Sequence, residues 1–221
     1  MITIGYLDEA TGPRFTFNRV FKNDFDVKIL DNPELVQTTD DLLTQIEELE
    51  LDVLAVDYKL ADGGWLSYNG DEVVNAIWKK KRYFPVFMLT SYPSDAMSKM
   101  ENVFLVKDKS IISESSSDSG ELQHESVTFL KEQIKKSVEN YKIIVSDRER
   151  QTKELEYKQE AHGLSKEEEN RLLALHIELH AIDPESNPIA PANLQTSSIA
   201  DLREIVDSSR KILQQLRRFS A

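Results

Sequence analysis

Short apolar runs alternate with segments of helical periodicity through roughly the first half of the chain. Five runs rich in Val, Leu and Ile have the composition of strands that are buried on both faces of a sheet. They are Ile2–Leu7, Val27–Leu30, Val53–Val56, Val86–Leu89 and Val103–Val106. Helical periods fill the gaps at Asp40–Leu49 and about Gly70–Lys80, and a short helix is expected after the first strand. Because strands separated by helices pair in parallel, the pattern predicts an α/β fold with a doubly wound, five-stranded parallel sheet.

The periodicity changes after the stretch SESSSDSG at residues 113–120. This stretch lacks the apolar residues that a core needs, so we expect a flexible loop or linker there. From Glu121 to about Ala161, apolar residues recur at steps of three and four, which predicts one long helix. The sequence therefore divides into an α/β domain at residues 1–142 and an all-helical extension at residues 143–221.

Two further helices are predicted within the extension. Gly163 favours a turn, and Ser165 with the acidic residues after it has the pattern of a helix N-cap before an amphipathic segment. A Pro-rich connector then precedes a last amphipathic helix at about Ser197–Phe219. We expect these helices to form a hairpin or a coiled-coil-like bundle.

The composition excludes several classes of functional site and favours a cytoplasmic protein. The 221 residues include no cysteine, which rules out disulfides, thiolate metal sites and cysteine nucleophiles. The formal net charge of −12 argues against nucleic-acid binding, which needs a surplus of Lys and Arg. No stretch approaches the about 18 apolar residues of a membrane span, and the N-terminus does not resemble a signal peptide. We expect a cytoplasmic protein without membrane or nucleic-acid partners.

Polar residues stand at the carboxyl ends of four predicted strands. Asp8 and Glu9 follow the first strand, Asp57 the third, Thr90 the fourth and Lys107 the fifth. In open α/β sheets, binding sites form at this edge. Each residue alone also fits an ordinary role, such as a turn-capping acid at Asp57, a helix cap at Thr90 or a solvated lysine. Together they predict one site.

The chemistry of this set favours phosphoryl transfer. Converging carboxylates repel each other, so they favour a hard divalent cation such as Mg²⁺, which binds carboxylates together with phosphate oxygens. A hydroxyl and an ammonium group nearby can stabilise the charge of a phosphoryl group in transfer. Asp57 would be the carboxylate nucleophile that forms an aspartyl phosphate.

With these residues in place, residues 1–142 resemble the receiver domains of bacterial response regulators. The family places an acidic pair after the first strand, the phosphorylated Asp after the third in a segment like VLAVDYKL, and a Thr or Ser after the fourth, as in VFMLTS. A Lys ends the fifth strand, as in VFLVKDK. The resemblance implies a flavodoxin-like fold in which Asp57 accepts the phosphoryl group.

The resemblance also assigns the remaining roles. It implies that Asp8, Glu9 and Asp57 bind Mg²⁺ together with the backbone carbonyl of Lys59. Thr90 and Lys107 would act on the phosphoryl group. Phe104 lies three residues before Lys107, where an aromatic residue often acts as a rotamer switch in the family, although a place in the core also fits it.

Several features depart from the family pattern. Asp108 stands where a proline normally follows the lysine, and Ala61 replaces the proline of the segment after the phosphorylated Asp. The loop after Asp57 is long, and the segment between Thr90 and Lys107 is short, with a weak fourth helix. These departures indicate an atypical receiver.

The resemblance implies a regulator, with no enzymatic activity beyond its own phosphotransfer and autodephosphorylation. Its implied partners are a sensor histidine kinase or phosphotransfer protein, and an output protein or a second copy bound through the helices. Two alternatives remain open: a phosphate sink or relay component, and a pseudo-receiver scaffold that never carries phosphate.

The helical extension contains a second candidate motif, HIELH. His176 and His180 lie one helical turn apart, a spacing that can bind zinc, although Glu178 does not stand where the zinc-protease helix motif has its Glu. A phosphotransfer histidine is another possibility for either residue. Ordinary exposed or half-buried helix positions are the favoured interpretation.

Overall fold

The computed structural model of the chain describes residues 1–62, 64–113, 120–184 and 186–189, with side chains from 125 onward in the third of these ranges. The predicted last helix at 197–219 and most of the predicted linker at 113–120 lie outside the described residues. The chain divides into two compact units, residues 1–143 and residues 144–221.

The first unit contains a five-stranded parallel sheet. Its strands are β1 (Thr3–Leu7), β2 (Asp26–Ile29), β3 (Val53–Val56), β4 (Val86–Thr90) and β5 (Val106–Asp108). The strand order is β2-β1-β3-β4-β5, and every neighbouring pair is parallel. This is the flavodoxin-like order, in which the chain changes direction across the sheet between β1 and β3. The predicted doubly wound α/β fold is therefore confirmed.

Helices connect the strands and continue into the second unit. They are α1 (Thr11–Phe21), α2 (Thr39–Glu48), α3 (Gly70–Lys80), α4 (Pro93–Lys99), α5 (Gly120–His162) and α6 (Lys166–Ile182). Reciprocal side-chain caps fix the starts of α2 and α3, between Thr38 and Asp41 and between Asn69 and Glu72. α1 has 11 residues, so the helix after the first strand is longer than the sequence predicted.

Two apolar layers enclose the sheet because successive strand residues point to opposite faces. Leu54 and Val56 of β3 belong to the layer that includes α2 and α3. Val53 and Ala55 belong to the opposite layer, with aromatic residues of α1 and apolar residues of α5 such as Leu130. Burial on both faces explains why β3 reads as an unbroken apolar run.

The fifth strand begins later than the sequence predicted. Val103–Leu105 form a single 3₁₀ turn, because the side chain of Asn102 accepts a hydrogen bond from the backbone N–H of Phe104 at 3.2 Å. β5 then covers Val106–Asp108, and a second 3₁₀ turn follows at Lys109–Ile111. The strand predicted at Val103–Val106 therefore begins three residues too early, and this changes which lysine follows the strand.

In the second unit, a short turn joins the end of α5 to the start of α6. Gly163 has a φ of 75° and joins the helices, a left-handed conformation that glycine adopts without strain. Ser165 caps α6 and forms a reciprocal capping box with Glu168, as its sequence predicted. Leu172, Leu175 and Leu179 form a buried stripe on α6. Among the described residues, no helix is long and apolar enough to cross a membrane.

Candidate functional site

Buried polar residues concentrate at the carboxyl edge of the sheet. Asp8, Asp57 and Thr90 are at most 3% exposed, and the structure describes only one other buried polar side chain, Thr152. Asp8 follows β1, Asp57 follows β3 and Thr90 ends β4, and these three strands are neighbours. The structure therefore brings together three of the predicted site residues. We call them, with Glu9 and Lys109, the strand-end site.

Lys109 is the basic member of the strand-end site. Its Nζ lies 2.7 Å from Oδ1 of Asp57 and 2.8 Å from Oδ2 of Asp8, so one ammonium bridges two buried carboxylates. Burial alone would lower the pKa of Lys109, but the close contacts with the carboxylates of Asp57 and Asp8 and their negative charges more than offset this and raise it. The ammonium is therefore charged at neutral pH.

The lysine position predicted from the sequence was two residues early. Lys107 is half-buried on β5, where it pairs with Leu89, and the ammonium at Asp57 belongs to Lys109. Asp108 begins the 3₁₀ turn after β5 by accepting a hydrogen bond from the backbone N–H of Ser110 at 2.8 Å. This turn places Lys109 just beyond the sheet edge. None of the described peptide bonds is cis.

The assignment of Lys109 as the site lysine also changes the role predicted for Phe104. Phe104 is 83% exposed, so it is not part of the core. Counted from Lys109, the residue three positions earlier is Val106, which is 5% exposed and is not aromatic. The aromatic switch predicted at Phe104 therefore loses the spacing on which the prediction was based.

Asp57 is held by the backbone on several sides. Its N–H donates to the carbonyl of Leu7 at 2.9 Å, and its Oδ2 accepts from the N–H of Lys59 at 3.0 Å. Oδ1 receives no well-aligned hydrogen bond from the described residues, since its contact with Lys109 is an ion pair outside good hydrogen-bond geometry. Gly70 packs against the Asp57 carbonyl, which a β-carbon at that position would approach to 2.3 Å.

The loops beyond Asp57 and Thr90 meet over the site. The Lys59 ammonium lies 3.9 Å from the centre of the Tyr92 ring, a cation–π contact, and 3.3 Å from Asp62. Thr90 accepts a hydrogen bond on Oγ1 from the N–H of Tyr92 at 3.1 Å. The role of the Lys59 carbonyl as a metal ligand stays a prediction.

Asp8 and Glu9 differ in how far the protein satisfies their oxygens. Asp8 accepts three hydrogen bonds, from the Tyr6 hydroxyl, the Ala10 N–H and Lys109. Glu9 has a buried Oε2 with no hydrogen-bond donor among the residues described. Burial raises the pKa of Glu9, and the neighbouring charges of Asp8 and Asp57 raise it further.

These oxygens fit Mg²⁺ in chemistry, while their arrangement favours the internal ion pair. Oε2 of Glu9 is buried without a hydrogen-bond donor in the described part of the chain, and Oδ1 of Asp57 is buried against the Lys109 ammonium. Hard cations prefer such carboxylate oxygens. However, no group of three or more acidic or histidine side chains within that part is arranged to hold a metal ion. Mg²⁺ would have to displace Lys109 from Asp8, Asp57 or both.

The sequence pattern did not predict the roles of three residues at or beside the site. Lys109 is one of them, because the segment KDK at residues 107–109 contains two lysines and only the register of β5 distinguishes them. Tyr6 lies two residues before Asp8 on β1, so alternation alone puts both side chains on one face. Gly70 begins α3, and its close approach to the Asp57 carbonyl has no local signal in the sequence.

The two histidines of the HIELH motif have other partners. His176 lies with Nε2 3.5 Å from Glu156 of α5, and His180 has Nδ1 3.0 Å from the carbonyl of Asn187. Neither residue joins a group that could hold a metal within the described ranges. Both histidines therefore contact nearby residues of the second unit, which agrees with the interpretation that they are ordinary helix residues.

Comparisons with known proteins found similar solved structures but no related sequences. No protein-family model and no curated protein sequence matches the chain. A crystal structure of the anti-anti-sigma factor PhyR from Bartonella quintana is 16% identical, with a TM-score of 0.39, over 61% of this chain and 50% of that one. The RcsB response regulator of Salmonella typhimurium, in a structure described for its DNA interaction, is 14% identical, with a TM-score of 0.38. That match covers 84% of this chain and 98% of RcsB.

Proposed function

We propose that the first unit is a receiver-type regulatory domain that accepts a phosphoryl group on Asp57. The observation that carries the proposal is the bridge of Lys109 between Asp57 and Asp8, at 2.7 and 2.8 Å, beside the buried hydroxyl of Thr90. A nucleophilic carboxylate, an ammonium and a hydroxyl at one sheet edge are the groups that phosphoryl transfer to an aspartate requires.

In the proposed reaction, a carboxylate oxygen of Asp57 attacks the phosphorus of a phosphodonor. The new O–P bond forms as the bond between phosphorus and the donor's leaving group breaks, and the leaving group departs with the electron pair. Oδ1 is the proposed attacking oxygen, since Oδ2 accepts the hydrogen bond of the Lys59 N–H and Oδ1 already lies beside the Lys109 ammonium that would meet the phosphoryl group. That hydrogen bond keeps the carboxylate oriented while Oδ1 reacts.

Lys109 and Thr90 have distinct tasks in this proposal. The Lys109 ammonium neutralises charge on the transferred phosphoryl oxygens, and it needs to turn only from the carboxylate oxygen to the phosphoryl group attached there. Thr90 is fully buried, and its hydroxyl can donate to a phosphoryl oxygen while accepting the Tyr92 N–H. Its position at the end of β4 would transmit the change to the loop that precedes α4.

Asp8, Glu9 and Asp57 are the residues that would hold Mg²⁺, with the Lys59 carbonyl as a further oxygen ligand. When bound, Mg²⁺ supplies positive charge for the phosphoryl oxygens. The chain's contribution is a buried Glu9 Oε2 without a hydrogen-bond donor among the described residues, and an Asp57 Oδ1 that faces the Lys109 ammonium.

The internal ion pair supports a second candidate, a pseudo-receiver that never carries phosphate. Lys109 already compensates Asp8 and Asp57, and Asp8 has a donor at each oxygen. A site satisfied in this way is stable without a metal. In that case the first unit would serve as a folded scaffold for protein contacts.

For the proposed regulator, the expected partners are a histidine kinase or phosphotransfer protein upstream and a protein bound by the helices downstream. A phosphate sink or relay component uses the same Asp57 chemistry. Output through a partner separates the two, since a sink has no phosphorylation-dependent partner.

The proposal is tested by intact mass spectrometry after incubation with acetyl phosphate and MgCl₂. We expect the wild-type chain to gain the mass of one phosphoryl group, and Asp57→Asn to gain none. Asp62→Asn is a matched control, because Asp62 lies in the same loop and is exposed. No gain in the wild type, or an equal gain in Asp57→Asn, would support the pseudo-receiver instead.

A further inference from the structure

Arg14 of α1 is a half-buried arginine that has no acidic partner within the described ranges. Its Nη1 is buried and makes no hydrogen bond to a described residue, and its Nη2 donates to Thr11 Oγ1 at 3.2 Å. The chain has 39 acidic and 27 basic residues, so a shortage of carboxylates does not explain the missing partner. The guanidinium therefore keeps donors that an anion could use.

Trp65 contacts the Arg14 guanidinium through its ring. The Cζ of Arg14 lies 5.7 Å from the centre of that ring, which is a cation–π contact. The N–H groups of a guanidinium lie in its plane, so an aromatic contact on its face does not engage them. Trp65 therefore helps to hold the side chain in place and leaves the donors at its edge for another acceptor.

Arg14 and Trp65 lie at the same edge of the sheet as Asp57. Arg14 is in the first turns of α1, which begins shortly after the end of β1, and Trp65 is in the loop between β3 and α3 that follows Asp57. β1 and β3 are neighbours in the sheet. Both segments leave the carboxyl ends of these strands, so their contact joins two loops at the edge that carries the strand-end site.

The strand-end site has a surplus of negative charge. Asp8, Glu9 and Asp57 are three carboxyl groups, and Lys109 is the basic side chain that bridges two of them. An anion that approaches Asp57 is repelled by such a group unless a further cation takes part. Arg14 is a cation at this edge that is not paired with a carboxylate of the described residues.

We propose that Arg14 binds the phosphate group of a phosphodonor as it approaches Asp57. The inference rests on the proposed function, which supplies the class of ligand. An arginine presents paired N–H donors that match two phosphate oxygens, and these charged hydrogen bonds are strong. Because Nη1 is covered in the free protein, a phosphate that reaches it has to shift a covering side chain, and Trp65 is in contact with the guanidinium.

The alternative is that Arg14 only packs against Trp65 and is hydrated at its edge. Arg14→Gln separates the two roles, because it removes the charge and the paired donors and keeps a polar side chain of similar reach. Arg19→Gln is the matched control. Arg19 is an exposed arginine of the same helix, and its guanidinium lies 6.0 Å from the centre of the Phe15 ring.

The test is isothermal titration of the full-length wild type and variants with sodium phosphate, at constant ionic strength and with EDTA present, so that no metal ion takes part. We expect one saturable site in the wild type, and a Kd that is about 10-fold or more higher in Arg14→Gln. Arg19→Gln should match the wild type. Arg14→Lys keeps a positive charge at this position and loses the paired donors, and it should also weaken binding.

Urea denaturation of the same samples verifies that each variant is folded. The inference is overturned by a wild type without saturable phosphate binding, by unchanged affinity in Arg14→Gln and Arg14→Lys, or by an equal loss in Arg19→Gln.

These outcomes are distinguishable from failure of the proposed function. A wild type that binds phosphate through Arg14 but gains no phosphoryl group from acetyl phosphate contradicts the phosphoacceptor role of Asp57 and leaves the anion site supported. A wild type that is phosphorylated on Asp57 but binds phosphate equally well in Arg14→Gln contradicts the role of Arg14 alone.

Discussion

Lys109 Nζ lies 2.7 Å from Oδ1 of Asp57, and the same nitrogen lies 2.8 Å from Asp8. One cation therefore compensates two carboxylates that are at most 3% exposed. This arrangement makes Lys109 both a structural element of the sheet edge and the ammonium that a phosphoryl group on Asp57 would meet.

Lys109→Ala should lower both stability and phosphorylation. Removing the ammonium leaves two buried carboxylates uncompensated, which costs about 3 kcal/mol in the free energy of unfolding at neutral pH. Lys107→Ala is the control and should change it by less than about 0.5 kcal/mol, since Lys107 is only half-buried and the ammonium that pairs with Asp8 and Asp57 belongs to Lys109. Urea denaturation measures both. Equal losses would contradict the assignment of the site lysine.

The register of β5 is tested by a second pair of variants. Val106→Ala removes methyl groups from a side chain that is 5% exposed and should cost about 2 kcal/mol in the free energy of unfolding. Phe104→Ala removes a far larger side chain, but one that is 83% exposed, and should cost less than about 0.5 kcal/mol. The reverse order, measured by chemical denaturation, would place Phe104 in the core and the strand where the sequence pattern put it.

Gly70→Ala should disturb Asp57 through the backbone. A β-carbon at Gly70 would come within 2.3 Å of the Asp57 carbonyl oxygen, so the end of β3 or the start of α3 must move. We expect a loss of about 2 kcal/mol in stability. Gly12→Ala is the control: apart from its chain neighbours, nothing lies within 4 Å of its β-carbon, so its effect is limited to the restriction that Pro13 places on the preceding residue. Thermal unfolding should therefore shift to a clearly lower temperature in Gly70→Ala than in Gly12→Ala, and equal shifts would argue against the close approach.

Ser165→Ala should weaken the second helix of the C-terminal unit. Ser165 Oγ accepts a hydrogen bond from the Glu168 N–H, and Oε2 of Glu168 accepts one from the Ser165 N–H. Loss of such a cap costs about 1 kcal/mol, whereas Ser165→Asp keeps an acceptor in place. Far-UV circular dichroism through thermal unfolding should show an earlier transition for the alanine variant alone. Identical curves for both variants would mean that the cap contributes nothing.

Local patterns predicted most of the fold because they carry its physical cause. The unbroken apolar run of β3 reflects burial on both faces, and the Ser165 cap reflects hydrogen bonds made within four residues. Such features need no knowledge of the rest of the chain. The positions of Asp8, Asp57 and Thr90 followed as well, since each directly ends its predicted strand.

The details that failed depend on packing between distant segments. Whether Lys107 or Lys109 reaches Asp57 is decided by the pairing of β5 with β4 and by a 3₁₀ turn at Val103–Leu105. An apolar run cannot distinguish that turn from a strand. The hydrogen bond from Tyr6 to Asp8 depends on the stack of Tyr6 on Phe17 and on the direction of the Asp8 side chain. Neither is contained in a local pattern.

The most direct test of the phosphoacceptor claim is to identify the modified residue. The full-length chain is incubated with acetyl phosphate and MgCl₂, treated with borohydride to reduce an acyl phosphate to the alcohol, digested and analysed by tandem mass spectrometry. We expect homoserine at position 57, dependent on the phosphodonor and absent when Mg²⁺ is chelated. Unmodified Asp57 in every sample, or reduction at Asp8 in its place, would contradict the account.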